Sequence, residues 1–468
     1  ADIRPERYPL FLTSSEFLRL LDRSLGGTPF LSQDERDERK GDADAGKLDS
    51  LDAFFGDDES DEEKTVYAYR RHGVQLATLV LYVDDGRMHW DDTKASDQRA
   101  GEIRDRLHGR FEIDFGPIDP AEDYFLGANR TTSANRDVKT IRATSYIDSM
   151  GERYLDGEYG VCKDMPGSWG ETPADEELER AFEEATMSRT PASPDLFQRY
   201  NSLVGSERHC VKYRPDISAA MDLLGCCLTF PTERLYRCAV RVLVYLLRTR
   251  RLGITYTKHG EDAERLFARA DANWRSTRST TGFCVFLANA VIAHKCQRQG
   301  CIAMSTTEAE LVALAQCAIE MIYIISLLKF IGYECKGDVV VETDNKGAWE
   351  LCHKYTSAQH TRHIDRKLFK LREMRGAGIV KVQYIPTDEN TADLFTKVLK
   401  RQPFEKHRKV VLNTGAGEST DEVKQQRVAA LSAWKTKRVF HTKPQATSCK
   451  QTSHLCLRGE RTWGETLD

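Results

Sequence analysis

The 468-residue chain lacks several features that would assign it to a common protein class at once. Its 13 cysteines include no Cys-x-x-Cys pair and no signal-type apolar segment opens the chain, which favours a reduced intracellular protein over a disulfide scaffold. The longest apolar run, "MIYIISLL" at 321–328, is shorter than the ~20 residues that cross a bilayer. The net charge is only −4, so overall charge does not indicate a nucleic-acid partner. We therefore expect a soluble protein with no membrane partner.

Charge is instead concentrated in particular segments. Residues 34–63 form an acidic tract with few apolar side chains, which predicts a largely disordered N-terminal segment over 1–64. Residues 397–409, "KVLKRQPFEKHRK", contain six Lys and Arg against one Glu. The apolar pattern fails beyond residue 410, which predicts a basic, poorly ordered tail over 411–468.

A regular apolar pattern begins with residues 65–150. The stretch "TVYAYRRHGVQLATLVLYVDDG" at 65–86 predicts two strands around a His-Gly turn, and the second strand ends in the two aspartates. An amphipathic helix is predicted within 91–111 and a further strand at 124–131. Residues 151–190 are Gly-rich and acidic, typical of a loop or an insertion. Two helices follow, near 214–230 and 232–250.

The order of elements is most informative from residue 264 onward. Three strands are predicted first, followed by a long helix over 305–332 that Ser305 and Glu308 open as a capping box. A buried strand, "DVVVETDN", comes next, then further helices, the strand "GIVKVQYIP" and a final helix over about 388–399. Three strands followed by strand–helix alternation predict a mixed α/β domain.

Four acids of this domain stand at positions that suit a shared site: Asp271 near a strand end, Glu310 on the buried stripe of the long helix, Asp344 after a strand, and Asp393 in the last helix. A carboxylate on an apolar stripe is costly unless it is compensated. Repulsion among clustered acids raises their proton affinity, and a divalent cation reverses this effect. Carboxylate and water ligands suit magnesium or manganese. Two such ions about 3.5–4 Å apart can promote phosphodiester hydrolysis.

Each acid also has an ordinary structural explanation. Asp344, together with Asn345, could cap the next helix, and Asp393 could favour a helix N-terminus. Asp84 and Asp85 follow an apolar strand into a tight turn, which is either a solvated turn or part of a metal site.

Several motifs, taken in order, resemble those of a known family. "RADANWRSTRSTTGFCVF", "STTEAELVAL", "ETDNKGA", "TRHID" and "YIPTDENTADLFTKVL" resemble the RNase H domain that closes the Pol polyprotein of copia-type retrotransposons. "LVLYVDDG" resembles the reverse-transcriptase palm motif, and "YFLG", "YNSLVGS", "RPDI" and "RVLVYLLRTRRLGITY" resemble the segments between palm and RNase H. The resemblance covers about 74–410, with a poor stretch around 130–190.

The resemblance implies a particular division of the chain. A partial reverse-transcriptase palm with its hairpin would occupy 65–150, and an insertion with a helical connection would occupy 151–256. An RNase H-like domain, a mixed five-stranded sheet with flanking helices, would occupy 264–402. The polymerase is implied to be incomplete, because the family's first palm aspartate lies on an earlier strand and residues before 65 contain no such strand.

The resemblance also implies site residues and cofactors. Two Mg²⁺ ions, or Mn²⁺, would be bound by four catalytic acids, Asp271, Glu310, Asp344 and Asp393. Asp84 and Asp85 would be metal-binding acids of the polymerase motif. His363 would assist near the scissile phosphate, with a polar helix-surface histidine as an equal alternative. The sequence departs from the family pattern at two positions: Asn273 stands where the family usually has an aspartate, and His294 where it usually has a tryptophan. Neither change removes one of the four proposed metal-binding acids.

A basic surface is predicted to contact nucleic acid. An RNA–DNA hybrid is recognised through its shape, 2′-hydroxyls and phosphates. The predicted phosphate contacts are Arg362, Arg366, Lys367, Lys370, Lys397, Lys400 and Arg401. For most of them a solvated helix face is the plainer explanation. Trp274 could stack on a base or belong to the core.

Three hypotheses follow. The first is an RNase H that hydrolyses the RNA strand of an RNA–DNA hybrid, with RNA, DNA and other Pol-derived chains as partners. The second is a catalytically dead or domesticated remnant that binds nucleic acid without chemistry. The third is an interaction segment over 34–63 joined to an inert palm remnant. We favour the first, in an intracellular setting (a cytoplasmic particle or the nucleus) and not secreted.

Overall fold

The computed structural model describes residues 28–29, 65–71, 74–82, 85–90, 93–108, 113–114, 122–155, 165–166, 169–260, 262–275, 278–353, 365–414 and 455–457. These residues belong to two compact units. The first unit takes in the described parts of Ala1–Pro120, Tyr323–Glu334 and Cys449–Asp468. The second unit takes in those of Ala121–Ile322 and Cys335–Ser448.

The described residues of the first unit form a six-stranded sheet, one whole helix and the C-terminal part of a second helix, from Tyr323 onward. The elements are β1 Thr28–Pro29, β2 Thr65–Arg71, β3 Val74–Tyr82, β4 Asp85–Trp90, α1 Lys94–His108, β5 Ile113–Asp114 and β15 Leu455–Leu457. The strand order is β1-β2-β3-β4-β15-β5. Antiparallel pairing of Arg71 with Val74 and of Tyr82 with Asp85 makes β2, β3 and β4 two successive hairpins. The two predicted strands and the predicted helix within 91–111 are confirmed.

The second unit begins with a four-stranded sheet and a group of helices. The elements are β6 Glu122–Phe125, β7 Ala128–Thr132, β8 Val138–Arg142, α2 Thr144–Tyr154, α3 Glu176–Ser188, α4 Pro194–Cys210, α5 Ser218–Gly225, α6 Glu233–Arg248 and β9 Ile254–Thr257. The sheet order β6-β7-β8-β9 is antiparallel throughout. The single strand predicted at 124–131 is instead a hairpin, whose turn residues Leu126 and Gly127 have φ of 49° and 85°.

Local capping explains where the helices of this group begin. The Ser193 hydroxyl accepts a hydrogen bond from the Leu196 amide at 3.3 Å, and Pro194 occupies the first position of α4. The Thr232 hydroxyl likewise accepts from the Leu235 amide at 3.2 Å and begins α6. Helix α3 lies inside the segment predicted as a loop or insertion, and α4 was not predicted. Their buried faces contribute to one large apolar core.

A mixed five-stranded sheet follows in the same unit, with helices that belong to it except for the end of the longest helix, from Tyr323 onward. The elements are β10 Phe267–Asn273, β11 Thr280–Leu287, β12 Ala290–Arg298, α7 Thr306–Phe330, β13 Val340–Thr343, α8 Lys346–His353, α9 Asp365–Gly376, β14 Lys381–Tyr384, α10 Asp393–Thr396 and α11 Arg401–Leu412. The order is β12-β11-β10-β13-β14, in which β10, β11 and β12 pair antiparallel and β10, β13 and β14 pair parallel. The predicted mixed five-stranded sheet with flanking helices is confirmed.

Helix α7 is the long predicted helix, and its capping box is present. The Glu308 amide donates to the Ser305 hydroxyl at 3.2 Å, and the Glu308 carboxylate accepts from the Met304 amide at 2.6 Å. Among the described residues, this one helix is long and apolar enough to span a membrane, but 67% of its most apolar window is buried inside the protein. A core helix passes the same test of length and composition.

The chain after β14 differs from the prediction. A 3₁₀ turn, Thr387–Glu389, and the one-turn helix α10 replace the helix expected over 388–399. Asn390, between them, is extended with φ −72° and ψ 94°, so the helix cannot be continuous. Helix α11, Arg401–Leu412, lies where no helix was predicted, and only its last two residues fall in the tail that was predicted to be poorly ordered. The five-segment division of the whole chain stays a prediction.

Candidate functional site

Three carboxylates converge at one end of the five-stranded sheet. Parallel pairing of Arg269 with Glu342 sets β10 and β13 in register, so Asp271 and Asp344 stand two residues further along at the same end. Glu310 comes from the N-terminal part of α7. Ligand oxygens of Asp271, Glu310 and Asp344 all lie within 4.8 Å of one another. The predicted meeting of these three acids is therefore present in the structure.

Burial makes this arrangement electrostatically costly. The side chains of Asp271 and Glu310 are only 2% and 6% exposed. Burial, followed by the charges of Asp271 and Asp344, raises the pKa of Glu310 to about 9. Oε2 of Glu310 is buried and accepts no hydrogen bond from any described residue. A buried oxygen without a donor, beside two further carboxylates, fits a divalent cation that prefers oxygen ligands.

The fourth acid, Asp393, begins α10 and is held by a lysine. Nζ of Lys397 donates to Oδ1 of Asp393 at 2.6 Å and also lies 3.4 Å from the Asp271 carboxylate. Burial and the charge of Asp271 raise the pKa of Asp393 to about 6, against the opposing effect of Lys397. Burial alone would lower the pKa of Lys397, but the charges of Asp271 and Asp393 outweigh it and raise that pKa. Asp393 thus joins the site through Lys397 and Asp271.

Neutral side chains orient two of the acids. The Thr396 hydroxyl donates to Oδ2 of Asp271. The amide of Asn390, which is fully buried, donates to Oδ1 of Asp344 at 2.9 Å and to the Ala270 carbonyl at 3.2 Å. Sequence reasoning did not single out Thr396 or Asn390. Their one signal was their place in "TDENTADLFTKVL", around Asp393.

The contacts of Asp344 and Asp393 bear on the helix-terminus roles that either acid could have. Asn345, and not Asp344, caps α8, because Oδ1 of Asn345 accepts from the Ala348 amide at 2.9 Å. Helix α10 begins without a side-chain capping bond, and the Asp393 carboxylate binds Lys397 instead. Asp344 therefore does not cap a helix, whereas Asp393 does lie in the first turn of α10, where an acid is favourable.

Several other predicted site residues either lie outside the described part of the chain or have only their backbone described. Asp84, Arg362 and His363 lie outside the described residues, and of Asp85 only the backbone, at the start of β4, is described. Three predicted phosphate contacts lie on the first part of α9, of which only the backbone is described. They are Arg366, Lys367 and Lys370. Their roles stay predictions.

Three predicted phosphate contacts have described side chains. Lys397 is bound to the acids as above, whereas Lys400 is exposed. Arg401 pairs with Glu171 at 2.7 Å and with Glu405 at 3.2 Å. Contact of these three side chains with phosphate also stays a prediction.

The residues that depart from the family pattern have structural contacts near the site. Asn273 donates to the Thr396 carbonyl at 3.1 Å and so connects β10 to α10. His294 stacks on Phe395, with ring centroids 5.4 Å apart. Trp274 is 45% exposed and donates to the Ala303 carbonyl at 3.0 Å, so it is a surface aromatic at a strand end and not a core residue.

Comparison with known proteins gives both sequence relatives and a similar solved domain. No protein-family profile matches the chain. The N-terminal RNase H domain of rv2228c from Mycobacterium tuberculosis, solved as a fusion with maltose binding protein, gives a TM-score of 0.22 at 16% identity. That alignment covers 30% of this chain and 94% of the solved chain.

The sequence relatives include Pol polyproteins of plant transposons. The retrovirus-related Pol polyprotein from transposon RE1 of Arabidopsis thaliana is 32% identical over 210 residues, 44% of this chain and 14% of that protein. The one from transposon TNT 1-94 of Nicotiana tabacum is 30% identical over 362 residues, 74% of this chain and 25% of that protein. The chain thus spans no more than a quarter of these relatives. It is a homologue of the retrovirus-related Pol polyproteins of copia-type transposons.

Proposed function

We propose that the second unit is a metal-dependent ribonuclease H that hydrolyses the RNA strand of RNA–DNA hybrids. The observation that carries this proposal is the convergence of Asp271, Glu310 and Asp344 within 4.8 Å at the end of a mixed sheet. The choice of a hybrid as substrate is supported by the RNase H motifs and by the homology to Pol polyproteins.

The residues of the site would divide the work as follows. Asp271, Glu310 and Asp344 would hold a divalent ion, with Asp393 completing the acid set. Bound divalent ions supply Lewis-acid chemistry, which activates water and stabilises the leaving oxygen in phosphodiester hydrolysis. A set made of carboxylates favours Mg²⁺ or Mn²⁺ over zinc. Thr396 and Asn390 would keep Asp271 and Asp344 in orientation.

A second candidate function is a nucleic-acid-binding remnant without chemistry. The observation that favours it is Lys397, whose ammonium already neutralises part of the charge of Asp271 and Asp393. A site compensated in this way could be stable without any metal. Binding to a hybrid that is unaffected by a chelator, with no cleavage, would support this second candidate.

The test is cleavage in magnesium, by the full chain, of a hybrid whose RNA and DNA strands carry different labels. Asp344→Asn keeps the side-chain shape and removes one charge from the site, so we expect it to abolish cleavage. Asp338→Asn is the matched control, because Asp338 precedes the other end of β13, is 61% exposed and pairs with Lys381. Equal cutting by wild-type and Asp344→Asn proteins would refute the proposal, as would cutting of the DNA strand.

A further inference from the structure

Lys397 occupies an unusual place for a lysine. Its Nζ lies 2.6 Å from Asp393 and 3.4 Å from Asp271, while its side chain is 37% exposed. The two carboxylates belong to different elements, β10 and α10, which only the folded chain brings together. The lysine backbone is extended, with φ −129° and ψ 146°, directly after α10 ends. The ammonium is therefore a fixed cation between two acids of the proposed site.

The two halves of the site differ in how their charge is compensated. On the side of Asp393, the Lys397 ammonium supplies a positive charge to both Asp393 and Asp271. On the side of Glu310, the buried Oε2 accepts no hydrogen bond from any described residue, although Glu310 is only 6% exposed. A cation from solution would therefore be most strongly favoured beside Glu310.

We infer that Lys397 is a resident cation that stands in for one of two metal ions. One divalent ion binds beside Glu310 and Asp344, and a second ion binds at Asp271 and Asp393 only by displacing the Lys397 ammonium. Two positive charges cannot share one pair of carboxylates without repulsion, so lysine and metal compete for that half of the site. This inference rests on the proposed metal-dependent function and specifies how many ions the resting site holds.

The test is a calorimetric titration of the full chain with Mn²⁺ in the absence of nucleic acid. The wild-type chain is expected to bind one ion tightly and a second much more weakly. Lys397→Met removes the charge, and we expect the second ion to bind about tenfold more tightly or better. Lys397→Arg should keep the weak second site. Lys258→Met is the matched control, an exposed lysine directly after β9 and outside the predicted site residues, which should leave both affinities unchanged.

Chemical labelling of the wild-type chain gives a second test that needs no variant. Without metal, Lys397 should react with an acetylating reagent more slowly than exposed Lys400, and its reactivity should rise at the Mn²⁺ concentration that fills the second site. Two equally tight ions in the wild-type chain would overturn the inference. So would unchanged binding in a folded Lys397→Met variant, or Lys397 reactivity indifferent to Mn²⁺.

Failure of this inference can be told apart from failure of the proposed function. The titration needs no substrate, and hybrid cleavage is measured separately on the same preparations. Cleavage with two equally tight ions would leave the nuclease intact and refute the role of Lys397. One tight and one lysine-controlled ion without cleavage would support the role of Lys397 and refute the nuclease.

Discussion

At the scale of single residues, the four acids differ in what compensates their charge. Glu310 has burial and two neighbouring carboxylates, which raise its pKa to about 9. Asp271 has the Thr396 hydroxyl and the Lys397 ammonium, and Asp344 has the Asn390 amide. The site is thus held in shape by neutral donors and one cation, and the acid without any described side-chain donor is the one best suited to recruit metal.

Asn390→Ala tests this orientation. It removes the amide that joins Asp344 to the Ala270 carbonyl, and a buried acceptor left unpaired costs about 1–3 kcal/mol of unfolding free energy. We also expect cleavage to fall by about tenfold or more. Asn201→Ala is the matched control, because its amide likewise donates to two carbonyls but stands on α4. Urea unfolding and hybrid cleavage are compared; equal loss of cleavage in both variants would contradict the orienting role.

His407 gives a residue-scale prediction about pH. The side chain is 4% exposed, and burial followed by the charges of Lys406 and Arg269 lowers its pKa to about 4. Between pH 6.5 and 4 the unfolded chain therefore binds a proton that the folded chain does not, and stability falls as the pH is lowered.

The measurement for His407 is urea unfolding of wild-type and His407→Gln proteins at pH 7 and pH 4.5. Glutamine cannot titrate, so acidification should cost the variant less, by on the order of 2 kcal/mol. The comparison removes the contribution of all other titrating groups. An identical loss in the two proteins would show that His407 is protonated equally in the folded and unfolded chains.

At the scale of elements, the parts of the site that regular periodicity governs could be predicted from sequence. Helix α7 has an apolar stripe that includes Leu314, Cys317 and Met321, all fully buried, so the position of Glu310 followed from helical spacing. The short apolar run before Asp344 likewise predicted the buried strand β13. Both elements obey a local pattern that a single sequence displays.

The segment after β14 could not be predicted in this way. Asn390 is extended because its buried amide bonds Ala270 and Asp344, contacts more than 40 residues away that no local pattern reports. Pro403 lies in the first turn of α11, where proline is tolerated, although a proline more often interrupts a predicted helix. Lys397 was predicted to contact phosphate, and its ion pair with Asp271 was not predicted because that pair depends on the fold.

A buried ion pair connects several elements of the second unit. Arg214 is fully buried, donates to both Asp216 oxygens at 2.8 and 2.9 Å, and reaches Thr249 at the end of α6. Tyr245 of α6 donates to Asp216, and Arg408 of α11 donates to Tyr245 at 3.1 Å. The network joins the "RPDI" segment to α6 and α11.

Arg214→Leu should therefore be strongly destabilising. It leaves the Asp216 carboxylate buried with its main partner gone, which costs about 3–5 kcal/mol of unfolding free energy. The matched control is Arg180→Leu, whose ion pair with Glu176 is 63% and 70% exposed and should contribute less than about 1 kcal/mol. Chemical denaturation measures both. A loss for Arg214→Leu no larger than for Arg180→Leu would contradict a structural role for the network.

At the scale of the whole molecule, the chain is a homologue of much longer Pol polyproteins, and its described residues form two units. All four acids of the proposed nuclease and Lys397 belong to the second unit. The first unit carries the β3–β4 hairpin, with Asp85 at the start of β4, and its polymerase role stays a prediction. The central claim about function therefore concerns the second unit.

The measurement that tests this claim most directly is the cleavage rate of the RNA strand of a hybrid, followed as magnesium is raised, for wild-type and Glu310→Gln proteins. Glutamine keeps the size of the buried side chain and removes the charge that a divalent ion needs. We predict a wild-type rate that rises and saturates with magnesium, and a variant rate at background. A rate that does not depend on magnesium, or that survives in a folded Glu310→Gln variant, would contradict the account.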